Sequence, residues 1–215
     1  MLAWPRRLAA GVSVAMTADP FPDAFAAVVG HEGGYGADPR DKGNWTGGKV
    51  GSGDLKGTKF GISAASYPTL DIRNLTLDQA REVYHRDYWL RLACDVLPAP
   101  LALVVFDPGV NAGVGAAAAW LQQALGVRVD GAIGLAARKA AAGLRDGDVQ
   151  AAVISVLVLR MLHNASASTW PIYGLGWTWR VLNLMVQATG GDKMRRPRGS
   201  RQGPARLTLL SFLSR

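Results

Sequence analysis

The sequence is poor in the residues that disulfide-bonded, metal-binding and membrane-spanning proteins rely on. Its single cysteine, Cys94, excludes an intramolecular disulfide. Three histidines and one cysteine supply few metal ligands, so we predict neither a metal site nor a cofactor. The longest apolar run, residues 151–159, is shorter than the roughly 20 apolar residues that cross a bilayer. We therefore expect no transmembrane segment and interpret this run as part of a buried core helix.

Glutamate is also scarce, because Glu32 and Glu82 are the only two in the chain. Glu32 closes a predicted amphipathic helix over residues 21–32, where it shares a face with the apolar Phe25 and Val28. Burial against that face would raise the pKa of the carboxyl group and keep it protonated, as a general acid requires. The alternative is an ordinary glutamate at a helix end that extends into solvent.

The stretch around this glutamate, HEGGY at residues 31–35, has a superficial likeness to a zinc protease motif. Such a motif requires a second histidine four residues after the first, on the same face of a helix. Tyr35 occupies that position, and Gly33 and Gly34 favour the end of a helix. These residues argue against a metal role for the stretch.

Positive charge is concentrated at the two ends of the chain. The formal net charge is +8, and residues 191–215 hold seven of the 24 lysines and arginines against one acidic residue, Asp192. We predict a solvated, disordered tail over residues 190–215, with charge-driven contact with anionic surfaces as the alternative. Because the middle of the chain is nearly neutral, the charge does not indicate specific binding of nucleic acid.

Residues 1–19 resemble a secretory signal peptide only in part. Arg6 and Arg7 precede a weak apolar stretch that lacks a clear cleavage site. A natural start at Met16, just before the first predicted helix, is another interpretation. We favour a disordered leader or an over-extended gene start.

Hydrophobic periodicity predicts a mainly α protein. A capping box formed by Thr76 and Gln79 opens a helix that runs to about residue 89. Before it, residues 36–62 are rich in glycine and lack a helical period, which indicates a long irregular segment with a short hairpin. Pro98 and Pro100 indicate a loop and a candidate boundary. Further helices are predicted at residues 100–111, 115–125, 134–143, 147–163 and 175–188, of which the helix at 147–163 is apolar nearly all round and should be central to the core.

Three motifs follow the HEGGY stretch and complete a specific pattern. They are DPRD at residues 38–41, GNWTGG at 43–48 and TKFGIS at 58–63. This combination closely resembles glycoside hydrolase family 108, the N-acetylmuramidases of phages and prophages. The C-terminal half resembles the predicted peptidoglycan-binding domain that accompanies this family. Its resembling motifs are FD at 106–107, VNAG at 110–113, LQQALG at 121–126, VDGAIG at 129–134, and GW at 176–177 followed by Arg180.

The resemblance implies a lysozyme-like helical fold with a small β or loop region that lines the cleft. It divides the chain into a catalytic segment at residues 20–98 and a helical segment of the peptidoglycan-binding type at residues 99–189, which we expect to pack into one core. The implied activity is that of an endolysin, a peptidoglycan hydrolase that cleaves the β-1,4 bond between N-acetylmuramic acid and N-acetylglucosamine with Glu32 as general acid. The alternatives are a lytic transglycosylase that uses Glu32 alone and a non-catalytic wall-binding or secretion-accessory protein.

Hydrolysis of a glycosidic bond normally requires a second carboxyl group besides the acid. Asp38 and Asp41 are the nearest candidates in the sequence. We predict Asp41, because phage-type lysozymes often show the same gap between the catalytic glutamate and aspartate. Asp38 precedes a proline and is better suited to an Asx turn. The alternative for Asp41 is a loop carboxylate that pairs with Lys42 or Arg40.

Further site residues are predicted in the same region. The predicted substrate-binding residues are Tyr35, Trp45, Gly61 and Asn111. The two aromatic rings suit stacking on sugar faces, the glycine suits close approach of a sugar to the backbone, and the asparagine suits a hydrogen bond with a sugar amide or an acidic partner. Packing inside the protein is the alternative for each ring, and a buried polar contact is the alternative for the asparagine. Similar lysozymes place a threonine near this strand to position the attacking water, so Thr58 is a candidate catalytic support residue, with Thr46 as its competitor.

The expected partner is the glycan strand of peptidoglycan, and we expect the protein to be a monomer. The resemblance implies synthesis in the cytoplasm and action on the cell wall, in the periplasm, after holin-type release or export.

Overall fold

Helices account for most of the residues that the structure describes. The structure is a computed structural model, and it describes residues 19–29 and 34–191. The helices in these ranges are α1 (Phe21–Val28), α2 (Leu77–Tyr84), α3 (Ala99–Ala112), α4 (Val114–Ala124), α5 (Leu135–Ala142), α6 (Asp146–Ser166) and α7 (Trp170–Ala188). Strands β1 (Thr58–Lys59) and β2 (Ile62–Ser63) form a two-stranded antiparallel sheet. The prediction of a mainly α, lysozyme-like fold with a small β region is confirmed.

Helix α1 buries the apolar face that the sequence predicted. Its first turn is stabilised by Asp19, whose carboxylate accepts a hydrogen bond from the Phe21 backbone N–H at 2.9 Å. Phe25 and Val28 are both buried, at 2% and 5% exposure. An isolated helix of eight residues is marginal in water, so α1 depends on this packing for its stability.

The end of α1 differs from the prediction. The helix ends at Val28 instead of continuing to residue 32. The sequence continues with Gly30, and glycine costs about 1 kcal/mol in a helix interior. Residues 30–33, which include Glu32, lie outside the described residues, so the predicted orientation of Glu32 stays a prediction.

Helix α2 begins with the predicted capping box. The Thr76 hydroxyl accepts from the Gln79 backbone N–H at 3.2 Å, and the Gln79 side chain accepts from the Thr76 backbone N–H at 2.9 Å. The helix continues as a π-helical turn over His85–Trp89, so the predicted extent is also confirmed.

The segment around Pro98 and Pro100 is not the predicted loop but the start of α3. Pro98 is the N-cap, and Pro100 lies in the first helical turn. Proline is tolerated there because the first backbone N–H groups of a helix have no partner within the helix. Pro108 also lies inside α3, which continues through it to Ala112.

Helix α3 lies at the centre of the molecule and packs against α1, α4, α6 and α7. Its side chains Leu101, Val104, Val105 and Phe106 have no exposed surface. Buried apolar residues from Phe21 through Leu184 form one contiguous cluster. Residues on both sides of position 98 therefore share one hydrophobic core.

Helix α6 was predicted to be apolar nearly all round and central to the core, and the structure buries only part of its surface. Its inner face is buried against α3, α4 and α7. Its outer face exposes Ile154, Val158 and Leu162, at 47%, 51% and 64%. The prediction fails for this outer face because no helix of the described residues covers it, and the periodicity of one helix does not show which neighbours it will have. By length and composition, α6 is the one described helix that could cross a bilayer.

The remaining helices lie close to their predicted positions, except that α7 begins at Trp170 rather than at residue 175. Pro171 lies in its first turn, where proline favours helix initiation. The predicted leader and the predicted basic tail lie almost wholly outside the described residues.

Candidate functional site

The segment between α1 and α2 carries most of the predicted site residues, and the β1–β2 hairpin organises it. The hairpin turn places Phe60 and Gly61 at φ values of 50° and 77°. Two consecutive residues with positive φ are typical of a type I′ turn, which favours glycine. The Tyr84 hydroxyl of α2 donates to the Phe60 carbonyl oxygen at 3.0 Å and holds the turn in place. The turn itself therefore favours glycine at position 61, and the approach of a sugar to this residue stays a prediction.

A backbone bridge joins the hairpin to the chain that follows residue 33. The Gly36 N–H donates to the Thr58 carbonyl oxygen at 2.9 Å, and the Thr58 N–H donates to the Gly36 carbonyl oxygen at 2.8 Å. Gly57 has a φ of 81°, and a Cβ there would lie 2.5 Å from the Gly36 oxygen, so only glycine fits. Gly36 follows Glu32 by four positions in the sequence. The bridge thus holds β1 beside the chain that leaves the predicted acid.

Thr58 is buried, and its hydroxyl donates to the Asn44 side-chain oxygen at 2.8 Å. The Asn44 amide nitrogen donates to the Asp38 carbonyl oxygen at 3.0 Å. The Asn44 carbonyl oxygen accepts from the backbone N–H groups of Lys56 and Gly57. Asn44 is only 3% exposed, and all of these bonds tie the segment to itself. Asn44 is a residue that sequence reasoning missed as an organiser, although it lies within the GNWTGG motif.

The two candidate carboxylates, Asp38 and Asp41, have different local roles. Asp38 forms the predicted Asx turn, since its carboxylate accepts from the Arg40 backbone N–H at 2.9 Å. It also pairs with the Arg40 guanidinium at 2.8 Å, and this side-chain hydrogen bond lowers the pKa of Asp38 to about 2. Asp41 caps a short 3-10 turn, Lys42–Asn44, by accepting from the Gly43 N–H at 2.8 Å. A catalytic role for Asp41 stays a prediction.

Tyr35 and Trp45 are both partly exposed, and each has a partner within the protein. The Arg73 guanidinium lies 4.7 Å from the centre of the Tyr35 ring. The Trp45 indole nitrogen donates to the Pro39 carbonyl oxygen at 2.9 Å. Tyr35 also lines an open cleft of about 320 Å³, and residues 69–73 form part of its wall. Partial exposure is compatible with sugar stacking, which stays a prediction for both rings.

Asn111 lies on α3 and donates to the Asp107 carbonyl oxygen at 2.7 Å and to an Asp107 carboxylate oxygen at 3.3 Å. The Asp107 carboxylate is 1% exposed and forms ion pairs with Arg160 of α6 and Arg180 of α7. Burial would raise the pKa of Asp107, but the two guanidinium groups outweigh it and hold the pKa below its ordinary value. Asn111 thus belongs to a polar cluster inside the bundle, which was the alternative to a sugar contact.

Sequence reasoning missed the two arginines of this cluster as partners of Asp107. The signal that could have identified Arg160 is a lone arginine in an otherwise apolar helix, because such a charge needs a buried partner. Arg180 is part of a motif that the sequence already singled out, but its partner lies 73 positions earlier in the chain.

The LQQALG and VDGAIG motifs meet through Gln122, which is 3% exposed. Its amide nitrogen donates to the Asp130 carboxylate at 2.7 Å and to the Ala132 carbonyl oxygen at 2.8 Å. Its amide oxygen accepts from the backbone N–H groups of Asp130 and Gly131. These bonds fix the turn between α4 and α5, so the motif has a structural explanation. Binding of peptidoglycan by this region stays a prediction.

The structure brings five predicted residues into one hydrogen-bonded segment between α1 and α2: Tyr35, Asp41, Trp45, Thr58 and Gly61. Asn111 lies on a different element, α3, and Glu32 lies outside the described residues. Across residues 19–29 and 34–191, no three His, Cys, Asp or Glu side chains lie close enough together to hold a metal ion.

Comparison with known families agrees with this arrangement. Residues 25–113 match the sequence profile of the family described as Glycosyl hydrolase 108. The match begins within α1, spans the whole loop and hairpin segment, and ends just after α3. Residues 25–113 are therefore similar to glycoside hydrolase family 108, and this match supports a glycoside hydrolase that acts on peptidoglycan.

The solved structure described as "Structure of Brucella abortus SagA" matches the chain with a TM-score of 0.63 and 26% sequence identity. The match covers 79% of this chain and 94% of that chain, so the similarity extends well beyond residue 113. A search of curated proteins finds no match.

Proposed function

We propose that the protein is an N-acetylmuramidase that hydrolyses the β-1,4 bond between N-acetylmuramic acid and N-acetylglucosamine in peptidoglycan. The observation that carries this proposal is the family match over residues 25–113, because it spans Glu32 together with the whole segment that holds the predicted site residues. The hydrogen bonds of that segment support the proposal further, since they hold the candidate residues on one local scaffold. Preorganised positions are what a glycosidase needs around the scissile bond.

In the proposed mechanism, Glu32 donates its proton to the oxygen of the departing sugar. Asp41 supplies the second carboxylate, which stabilises the oxocarbenium-like transition state or activates the attacking water. Thr58 acts as a support residue, because its hydroxyl holds Asn44 and through it the loop after Asp41. Tyr35 and Trp45 offer partly exposed aromatic surfaces to the sugar rings.

We also propose that the enzyme acts as an endolysin. It would be made in the cytoplasm and reach the cell wall after holin-type release or export. The helical region beyond residue 113 would then help to bind peptidoglycan. The partner of the enzyme would be the glycan strand of peptidoglycan. The charged C-terminal residues would add contact with anionic surfaces.

The test is Glu32→Gln, which preserves size and hydrogen-bonding capacity but cannot donate the proton. We expect a loss of about 10²–10⁴-fold in the lysis of cells stripped of their outer membrane, which is the usual contribution of one general acid. Glu82→Gln is the matched control, because Glu82 is the other glutamate of the chain and is exposed on α2. Its activity should equal that of the wild type.

Mass spectrometry of the released fragments separates the remaining alternatives. Hydrolysis leaves a reducing N-acetylmuramic acid end, whereas a lytic transglycosylase leaves an anhydro ring at that end. Anhydro products would contradict the hydrolase proposal. Activity of Glu32→Gln within about tenfold of wild type would contradict the assignment of the acid, because one general acid contributes more than that.

A further inference from the structure

The carboxyl-terminal end of α1 is held by a residue from the other end of the chain. The last four carbonyl groups of a helix have no partner inside the helix, and cationic side chains commonly bind them. Helix α1 has no basic residue in its own last turn. The Val28 carbonyl oxygen instead accepts a hydrogen bond from the Arg180 guanidinium of α7, at 3.2 Å across 152 positions of sequence.

Arg180 is itself held by Asp107 of α3. Its Nε donates to the Asp107 carboxylate at 2.8 Å, and its Nη2 lies 2.6 Å from the same oxygen. Asp107 is 1% exposed, and its other oxygen pairs with the buried Arg160. Because the carboxylate is fixed from both sides, the guanidinium that reaches Val28 has little freedom to move. A planar guanidinium can make both contacts at once, which the single ammonium group of a lysine does less well.

We propose that Arg180 is a positioning residue for catalysis, which holds the end of α1 and thereby sets where the chain that carries Glu32 begins. This inference rests on the proposed function. Glu32 follows Val28 by four positions, so the two Cα atoms lie within about 14 Å of each other whatever path the chain takes. A displaced end of α1 would therefore move the starting point of the short segment that carries the acid. An offset of about 1 Å at a catalytic group can reduce the rate by roughly 100-fold.

Arg160 offers a matched control within the same cluster. It pairs with the same carboxylate, and within the described residues its guanidinium donates to Asp107 and not to α1. Its side chain is 5% exposed, whereas that of Arg180 is 32% exposed. Loss of Arg160 should therefore affect mainly the stability of the fold, and loss of Arg180 mainly the position of α1.

The experiment compares Arg180→Gln, Arg180→Lys and Arg160→Lys in the full-length protein, with Glu32→Gln as the reference for lost acid catalysis. Steady-state kinetics use soluble peptidoglycan fragments, and circular dichroism measures the melting temperature of each variant. We expect Arg180→Gln to lower kcat about 10–100-fold with KM changed by less than about threefold. Arg180→Lys should recover part of this loss. Arg160→Lys should lower the melting temperature more than either Arg180 variant, with kcat per folded molecule close to wild type.

Chemical rescue adds a readout that a purely structural role would not give. Because Arg180 is partly exposed, millimolar guanidinium ion should restore part of the kcat of Arg180→Ala. Unchanged kcat in Arg180→Gln, while Glu32→Gln is inactive, would overturn the inference and leave the proposed function intact. Unfolding of both Arg180 variants would also overturn it, since Arg180 would then act on stability alone. An active Glu32→Gln would instead contradict the assignment of Glu32 as the acid of the proposed function.

Discussion

The segment between α1 and α2 and the bundle of α3 to α7 use polar side chains in opposite ways. In the segment, Asp38 and Asp41 bind backbone groups two positions away, and even Thr58 and Asn44 are only 14 apart. In the bundle, Asp107 pairs with arginines 53 and 73 positions away. The first region is shaped by short-range turns, whereas the second is fixed by charges that meet only after the helices have packed.

The difference has an energetic consequence. Hydrogen bonds at the surface of a loop exchange with water and contribute modestly to stability, whereas a buried ion pair that loses one partner leaves a charge without compensation. Changes in the segment should therefore act mainly on the shape and chemistry of the site. Changes at Asp107 and Arg160, the two buried members of the cluster, should act mainly on the stability of the fold, whereas the partly exposed Arg180 also reaches α1.

The comparison of the segment with the bundle is tested first by Asp41→Asn, for which we expect the largest effect, a loss of activity. Asparagine caps a helix about as well as aspartate, so the Gly43 contact should persist while the charge is lost. We expect kcat to fall about 10²–10⁴-fold with little change in melting temperature. The control is Asp38→Asn, which removes an exposed ion pair and should leave activity nearly unchanged. If Asp41→Asn and Asp38→Asn both kept nearly wild-type activity, Asp41 would have only a capping role.

The next effect is that of Asp107→Asn on stability. The neutral amide leaves Arg160 buried without its charge partner, and a broken buried pair costs about 3–5 kcal/mol. Urea denaturation should show this loss in the free energy of unfolding. A loss of less than about 1 kcal/mol in the free energy of unfolding is what a surface ion pair would give, and it would contradict the difference between the two regions.

The same residue predicts an acid dependence of stability. The folded-state pKa of Asp107 is lowered, so its contribution is present above the unfolded value of about 3.9 and is lost as the pH falls through the folded value. The free energy of unfolding of the wild type should therefore decrease below about pH 4. Asp107→Asn should show a shallower decrease, and identical acid profiles for the two proteins would contradict the prediction.

The smallest effect in this series concerns two glycines of the segment with similar backbone angles. Gly51 and Gly57 have φ values of 77° and 81°, but a Cβ at Gly51 meets nothing within 4 Å. Gly51→Ala should cost about 1–2 kcal/mol through left-handed strain alone. Gly57→Ala should cost more, because its Cβ would also collide with the Gly36 carbonyl and the Tyr35 ring. Equal thermal shifts in the two variants would show that the Gly36 bridge adjusts freely.

Several features of the fold followed from the sequence because their causes are local. The capping box at Thr76 and Gln79, the Asx turn at Asp38 and the buried face of α1 each depend on residues a few positions apart. The start of α7 was misplaced, and the segment at Pro98 and Pro100 was predicted as a loop, for a related reason. Proline favours either a loop or a first helical turn, and Pro171 lies in the first turn of α7. Only the packing of the apolar residues that follow decides between these two outcomes.

The candidate site divides in the same way. By itself, the sequence determined the helical class, the family-like motifs and the loop segment that holds Asp41 and Thr58. These features depend on hydrophobic periodicity and turn formation, which involve residues close together in the sequence. The tertiary structure alone decided that Asp107 joins Arg160 and Arg180, that Arg180 reaches the end of α1, and that the outer face of α6 stays exposed. These outcomes depend on which helices pack together. A carboxylate buried in a low-dielectric core pairs with the guanidinium groups that helix packing places beside it.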